Sequence, residues 1–324
     1  MVVVLLAAAV VCLLLLLLLF LFFLFPAGTA QVPDPETPEA DIDSIYGGIS
    51  IPRPERKECI YVCTTYFDFP HQDKWRTFCR GMDSLLSLHP RTTLDRIGRW
   101  LVVNEYSPSP ARDWAAAVRK RYPFVDFLQK GEHDRGQPRS LNLVLRKVRA
   151  YRYWIHWEEA WYCRSPCLDR MFDVMDSTRV AQLQITQDGE QAAGPDWLDN
   201  DVYQRSRMQT DAGTDYYRIH PSRDAGRFLR MPGARLEGAI IDNWPLFSLR
   251  PSINRVAGLG HLEFSEDPEL WPWKFEWDYA RAWLAADHIK AVLPDGPVVR
   301  DNHISTHGSL FGRLMRWLGG TGRT

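Results

Sequence analysis

The sequence predicts an α/β fold with a mostly parallel sheet and helices on both of its faces. Between residues 58 and 156, short apolar runs of β-favouring composition alternate with amphipathic stretches of helical period. One of these runs, Trp100–Val103, is apolar at every position, as a parallel strand that is buried on both faces would be. No glycine- or proline-rich linker divides residues 58–318, so we interpret them as one domain.

The first half of the domain alternates strands with helices. The pattern predicts strands at residues 58–65, 99–104, 124–128 and 151–156, and helices at residues 72–88, 109–121 and 140–150. Ser109 and Pro110 open the second helix as its N-cap and first-turn proline. One apolar face of the first helix consists of Trp75, Phe78, Met82, Leu85 and Leu86.

The second half of the domain is less regular. A strand is predicted at residues 181–186, and the polar stretch 187–235 is interpreted as a lid or an insertion. A regular pattern resumes at residues 244–255, which precede a predicted helix at 276–286 and a predicted strand at 290–293. The pattern predicts an amphipathic helix at residues 309–318 with Leu310, Leu314 and Trp317 on one side, before a short tail at 319–324.

The N-terminus predicts a membrane anchor. Val2–Phe25 is an apolar run of 24 residues without a charge, and a helix of that length reaches roughly 36 Å, enough to cross a bilayer. Because no Lys or Arg precedes it, we interpret residues 1–25 as an uncleaved signal-anchor; the alternative is a signal peptide cleaved near Gly28–Ala30.

The segment after the anchor, residues 26–57, is rich in proline and acidic residues, which is typical of a solvated stem. This layout is that of a single-pass type II membrane protein whose domain lies in the lumen of the Golgi or endoplasmic reticulum. The formal net charge is −1 and no long basic run occurs, so we expect no nucleic-acid partner.

The cysteines leave three interpretations open. Cys12 lies in the anchor, and the domain has an odd number: Cys59, Cys63, Cys79, Cys163 and Cys167. One or two disulfides are expected in an oxidising lumen. The alternatives are packed free thiols, or a zinc site made of the two pairs with three-residue spacers, a spacing that predicts zinc only weakly.

Polar residues follow the first, second and fourth predicted strands, and ligands of parallel sheets bind beyond those carboxyl ends. The first strand ends in Thr64-Thr-Tyr66, and the second in Asn104 and Glu105, whose amide and carboxylate suit a base or a ribose. A plain turn is the alternative for Asn104. Glu158 and Glu159 follow the fourth strand, and a divalent cation would relieve the repulsion between them.

Two helix starts carry further candidates. The loop 131–142 leads into a helix N-terminus that attracts anions, and Arg135 and Arg139 add positive charge; an ordinary loop capped by Ser140 is the alternative. Glu276 and Asp278 open a later helix and could supply a general base. The helix dipole alone also favours carboxylates at that position.

The order of these motifs resembles that of GT-A-fold glycosyltransferases of the broad family 2 type, across most of residues 58–316. The resemblance implies a Rossmann-like sheet, a nucleotide-sugar donor, a glycan or glycoconjugate acceptor and a Mn²⁺ or Mg²⁺ ion. It implies inversion with Asp278 as base, or Glu276 in its place, and metal ligands among Glu158, Glu159 and His303, with His307 as a second histidine. The implied donor-binding residues are Thr64, Thr65, Tyr66, Asn104, Glu105, Gly136, Gln137, Arg139 and Asn142.

The chain departs from the family pattern at two positions. The family's Asp-x-Asp motif is replaced by Glu158-Glu159, and Asn104 stands where an aspartate is expected. A non-catalytic carbohydrate-binding or scaffold protein on a degenerate fold is therefore the alternative function. Four tryptophans could form a wall for sugar rings or pack in the core: Trp244, Trp271, Trp273 and Trp283.

Overall fold

A nine-stranded sheet is the centre of the fold. The computed structural model describes residues 58–69, 73–186, 203–221, 247–267 and 274–301, all within one compact unit. The strands are β1 (Cys59–Thr65), β2 (Ile97–Asn104), β3 (Val125–Gln129), β4 (Tyr153–Glu158), β5 (Trp161–Cys163), β6 (Gln182–Gln184), β7 (Tyr203–Gln209), β8 (Asp215–Pro221), β9 (Ser252–Arg255), β10 (Lys290–Val292) and β11 (Val298–Arg300). The helices are α1 (Lys74–Leu88), α2 (Arg91–Leu94), α3 (Trp114–Arg121), α4 (Gln137–Val148), α5 (Leu168–Ser177) and α6 (Lys274–Ala285).

The sheet is mostly parallel, as the sequence predicts. Its strand order is β3-β2-β1-β4-β9-β6-β10-β8-β7. Strands β1 to β4 pair in parallel, and only β8 and β9 run against the other seven strands. A separate antiparallel ribbon joins β5 to β11. The α/β fold is thereby confirmed for the described residues.

The two faces of the sheet bury different side chains, because successive residues of a strand point to opposite faces. On the face covered by α4 and α6, here called the α4 face, Ile60, Val62 and Trp154 join an apolar cluster with residues of both helices. On the opposite α1 face, Tyr61 lies 6.0 Å from Trp157, measured between ring centroids.

The four helices predicted within the described ranges form, but each begins at a residue other than the predicted one. Helix α1 follows its cap Asp73, and α3 begins at Trp114 after the cap Asp113, not at Ser109. The backbone N–H of Ala111 and the indole N–H of Trp114 both donate to Asp68, at 2.9 Å each, which holds residues 105–113 outside a helix.

Helix α4 begins at Gln137, three residues before the predicted start, since Gly136 with a φ of 106° breaks the chain direction there. Ser140 therefore lies inside the helix and is not its cap.

Five elements and one hairpin were not predicted. Helices α2 and α5 and strands β5, β9 and β11 are short or follow irregular segments. The stretch predicted as irregular, residues 187–235, contains the hairpin of β7 and β8. Residues 206–209 of β7 are all exposed, so no alternation of apolar and polar residues marks this edge strand.

Several predictions concern residues outside the described ranges. The anchor 1–25, the stem 26–57, the helix 309–318 and the tail 319–324 lie outside those ranges. Within the ranges, no helix has the length and hydrophobicity of a transmembrane span.

All five described cysteines are buried free thiols, so the predicted disulfides are not found among them. The zinc alternative also fails there, because no described group of three or more ligating side chains could hold a metal.

Candidate active site

The carboxyl ends of β1, β2 and β4 meet at one edge of the sheet, here called the carboxyl edge. Thr64 pairs with Val103 on one side and with Glu158 on the other, while Thr65 pairs with Asn104. The three polar strand ends singled out in the sequence are thus neighbours, as parallel pairing requires.

Asn104 has a structural task at this edge. Its side chain is fully buried; Oδ1 accepts from the backbone N–H of Phe67 at 3.0 Å, and Nδ2 donates to Gln129 at 2.8 Å. The backbone N–H of Glu105 donates to the carbonyl of Thr65 at 2.8 Å. These bonds join the ends of β1, β2 and β3, so Asn104 positions the edge.

Glu105 is bound by a lysine that the sequence analysis missed. Lys130 Nζ donates to both carboxylate oxygens, at 2.9 and 2.8 Å, and its side chain is completely buried. The same carboxylate accepts from the backbone N–H of Gly136 at 3.2 Å. The N-terminus of α4, predicted to bind phosphate, therefore already faces a negative charge of the protein itself.

The remaining predicted donor-binding residues divide into two groups. Tyr66 is half-buried beside the edge, and Gln137 and Arg139 are exposed on the first turns of α4. Asn142 is buried away from solvent: its amide exchanges hydrogen bonds with the backbone of Phe264, at 2.8 and 2.9 Å. Asn142 thus ties α4 to the segment that precedes α6.

Glu158 and Glu159 point in different directions. Glu159 is buried and forms an ion pair with Lys74, the first residue of α1. Glu158 pairs with Thr64 and lies on the α4 face of the sheet, where its carboxylate accepts from the indole N–H of Trp161 at 3.2 Å. Burial, together with the charge of Glu159, raises the pKa of Glu158. The two adjacent acids therefore do not form one chelating pair.

Helix α6 brings a second carboxylate to the same place. Glu276 Oε1 accepts from the backbone N–H of Leu249 at 2.9 Å. Burial raises the pKa of Glu276 to about 7, and the charge of Glu158 acts in the same direction. Asp278, the other predicted catalytic acid, is half-buried on this helix.

Two cations face these acids. The antiparallel register that pairs His156 with Ser252 brings Arg250 alongside Glu158, and the Arg250 guanidinium interacts with the charges of both Glu276 and Glu158. Lys290, the first residue of β10, is buried, and burial lowers its pKa to about 7. A charged residue inside the apolar run 289–293 was the signal that could have found Lys290, since lysine is almost never fully buried without a partner.

The imidazole of His156 completes the α4-face group. It is buried two residues before Glu158 on β4. Burial lowers the pKa of His156 to about 4, so the ring is neutral at neutral pH. It adds a polar surface to the site without adding charge.

Other predicted residues are outside the described ranges or inside the core. His303, His307, Trp244, Trp271 and Trp273 lie outside the ranges. Trp283 is buried, with its ring centroid 5.9 Å from that of Phe247. Its role is therefore core packing.

The described donors do not by themselves fit a divalent cation. Such an ion needs several oxygen ligands, but the carboxylate of Glu159 is bound to Lys74. Arg250 and Arg300 both act on the remaining Glu158.

No protein-family model and no curated protein sequence matches the chain. Among solved structures, residues 1–349 of S. aureus TarS match it with a TM-score of 0.45 and 15% identity, over 74% of this chain and 58% of that chain. GalNAc-T7, crystallised with UDP, GalNAc and Mn²⁺, matches with a TM-score of 0.47 and 9% identity, over 75% and 43%.

Both are glycosyltransferases. TarS in complex with UDP matches similarly, with a TM-score of 0.45 and 12% identity. The chain spans 43% to 58% of the length of these three structures.

Proposed function

We propose that this protein transfers a sugar from a nucleotide-sugar donor to a hydroxyl group of a glycan or glycoconjugate. One observation carries the proposal: Glu158, Glu276 and Arg250 converge on the α4 face at the carboxyl end of β4. Carboxyl ends of parallel strands are where open α/β sheets bind nucleotides and their derivatives. Two acids and a guanidinium at that place meet the needs of a direct displacement, which requires a base and a stabilised leaving group.

The base is a carboxylate of the first turns of α6. Between the two predicted acids we prefer Glu276, because a pKa of about 7 suits a base that works at neutral pH. The N–H of Leu249 also holds the Glu276 carboxylate in one orientation. Asp278, the family-based choice, stays the alternative.

In the reaction, the carboxylate takes the proton of the acceptor hydroxyl as its oxygen bonds to the anomeric carbon. The bond from that carbon to the diphosphate breaks, and its electron pair leaves with the nucleoside diphosphate. Arg250, alongside Glu158, offsets the charge that develops on the leaving group. Attack from the face opposite the leaving group inverts the anomeric configuration.

A divalent cation is part of the proposal only as a further ligand of this site. Glu158 would bind it, with His303 as a second ligand and Glu159 only after release from Lys74. When bound, such an ion adds positive charge beside the diphosphate.

The donor contacts and the location are proposed from the sequence. Thr64, Thr65, Tyr66, Gln137 and Arg139 are proposed to surround the nucleotide at the carboxyl edge. Residues 2–25 are proposed to anchor a type II membrane protein with its domain in the Golgi or endoplasmic reticulum lumen.

A thermal-shift screen of the full chain in detergent tests the function. UDP, GDP, CDP and their sugars are compared with and without Mn²⁺, starting with UDP and UDP-GalNAc. We expect one nucleotide to raise the melting temperature, and Arg250→Gln to remove that rise. Asp126→Asn, which neutralises an exposed acid paired with Arg99, is the matched control and should leave it unchanged.

Two outcomes would reject the transferase proposal. Folded protein that responds to no nucleotide has no donor site. Stabilisation by saccharides alone would instead support the carbohydrate-binding alternative, which the diversion of Glu159 to Lys74 favours. A rise that grows with Mn²⁺ in the wild type but not in Glu158→Gln would support the cation ligand.

A further inference from the structure

A basic cavity lies at the opposite end of the sheet from the candidate active site. Its volume is about 560 Å³, within the usual size range of small-molecule sites. Tyr151 and Arg152 line it just before β4 begins, and Arg255 to Ala257 line it where the antiparallel β9 ends. It is therefore separated from Glu158 by the length of β4.

The charge around this cavity is strongly positive. Arg149, Arg152, Arg255 and His261 line it, and none of the described lining residues is acidic. The carboxylate of Asp176 forms ion pairs with the lining residue Arg152, at 3.1 Å, and with Arg96, at 2.7 Å. Arg96 also binds Glu58. No described ion pair involves Arg149 or Arg255, so these two lining guanidinium groups give the cavity an excess of two positive charges.

Two of these guanidinium groups are held in place before any ligand arrives. Arg255 donates to the carbonyls of Thr178 and Val180, at 2.9 and 3.2 Å, just beyond the end of α5. Arg255 and Arg152 also lie 5.4 and 4.7 Å from the ring centroid of Tyr153. Ordered side chains lose less conformational entropy when they bind, so this arrangement favours an anionic ligand.

We propose that this cavity binds the phosphate group of a small molecule or lipid headgroup at a site distinct from the active site. A phosphate monoester carries a charge of roughly −1.5 to −2 at pH 7, which matches the excess positive charge. Guanidinium groups bind phosphate oxygens through paired hydrogen bonds. Val256 and Ala257 give the cavity an apolar wall for the rest of the ligand.

Isothermal titration of the full chain in detergent with pyrophosphate tests the proposal. The cavity variant is Arg149→Gln combined with Arg152→Gln; Arg255 is kept because it binds the end of α5, and Asp176 keeps Arg96 as partner. The matched control is Arg146→Gln combined with Lys147→Gln, which removes the same charge from exposed positions on the last turn of α4.

We expect pyrophosphate to bind the wild type and the control within about twofold of each other, and the cavity variant at least about tenfold more weakly. Absent binding, or equal binding by the cavity variant, would overturn the proposal. So would binding that disappears in Arg250→Gln instead, because it would belong to the proposed active site. The single variant Arg149→Gln, at an exposed residue, gives a second reading if the double variant does not fold.

A competition arm separates the two sources of phosphate. Mixed micelles of the detergent and phosphatidylcholine, with and without phosphatidic acid, are added to the pyrophosphate titration. Displacement that depends on phosphatidic acid, and is lost in the cavity variant, identifies a lipid headgroup. Pyrophosphate binding that these micelles leave unchanged identifies a soluble phosphate ligand.

Discussion

Replacing Glu276 by glutamine tests the carboxyl group on which the proposed mechanism depends. Glutamine keeps the shape of the side chain and an oxygen that can accept from the N–H of Leu249. It removes the ionisable proton. The substitution therefore changes the charge of the site and little else.

The magnitude follows from the pKa. The ordinary value of 4.5 rises to about 7 in the folded protein, because burial disfavours the charged form. The folded state thus holds this proton more tightly, so its stabilising effect is complete below pH 4.5 and is lost as the pH rises through 7. The loss is at most about 3 kcal/mol, and less to the extent that water reaches the half-buried carboxyl.

Urea unfolding followed by tryptophan fluorescence, repeated between about pH 5 and pH 8, measures this effect. Lys290 contributes the opposite trend above pH 7, where its lowered pKa makes stability rise with pH. We therefore compare the free energy of unfolding of wild type and Glu276→Gln within the pH 5 to 7 window. The wild type should lose stability relative to the variant across it, and Asp278→Asn should follow the wild type.

Parallel stability curves for wild type and Glu276→Gln would refute the reasoning, since Glu276 would then be ionised throughout. Once a donor and an acceptor are known, the same variants report on catalysis. Loss of a general base lowers the rate by roughly 10²- to 10⁴-fold. We expect that loss in Glu276→Gln; finding it only in Asp278→Asn would return the base to the family-based choice.

Three further predictions concern stability and are measured by chemical unfolding. Lys130→Met leaves the Glu105 carboxylate without its buried partner and should lower the free energy of unfolding by about 3–5 kcal/mol. Adding Glu105→Gln should restore part of that stability. A double variant no more stable than Lys130→Met would contradict the ion-pair account. Gly81→Ala places a methyl group 2.5 Å from the carbonyl oxygen of Trp161. The displacement of α1 from β5 should lower the free energy of unfolding by about 1–3 kcal/mol. An unchanged unfolding midpoint would show that the contact relaxes freely. His89 Nε2 accepts from the first two backbone N–H groups at the start of α5, at 2.8 and 3.1 Å. His89→Ala removes this acceptor and should lower the free energy of unfolding by about 0.5–2 kcal/mol. An effect near zero would mean that water replaces the ring.

Local pattern determined much of the fold. The alternation of strands and helices over residues 58–156 is confirmed, because hydrophobic periodicity reports which face of each element is buried. The meeting of Thr64, Asn104 and Glu158 at one edge also follows, since parallel strands bring their carboxyl ends together. The hairpin β7–β8 escaped prediction because residues 206–209 of its edge strand are exposed and carry no such period.

Side-chain partners from distant parts of the chain could not be read from the sequence. Glu158 and Glu159 are adjacent and chemically alike, yet one faces Arg250 and the other binds Lys74. Likewise, Glu105 was predicted to meet a ligand, and Lys130 binds it instead.

The sequence by itself determined which strands end in polar residues and therefore where a ligand site could lie. Only the tertiary structure decided which of those residues are neutralised by the protein and which face Arg250 and Glu276. The physical reason is range: periodicity and burial are encoded within a few neighbouring residues, whereas a pKa or an ion pair depends on charges that the fold brings together from separate segments.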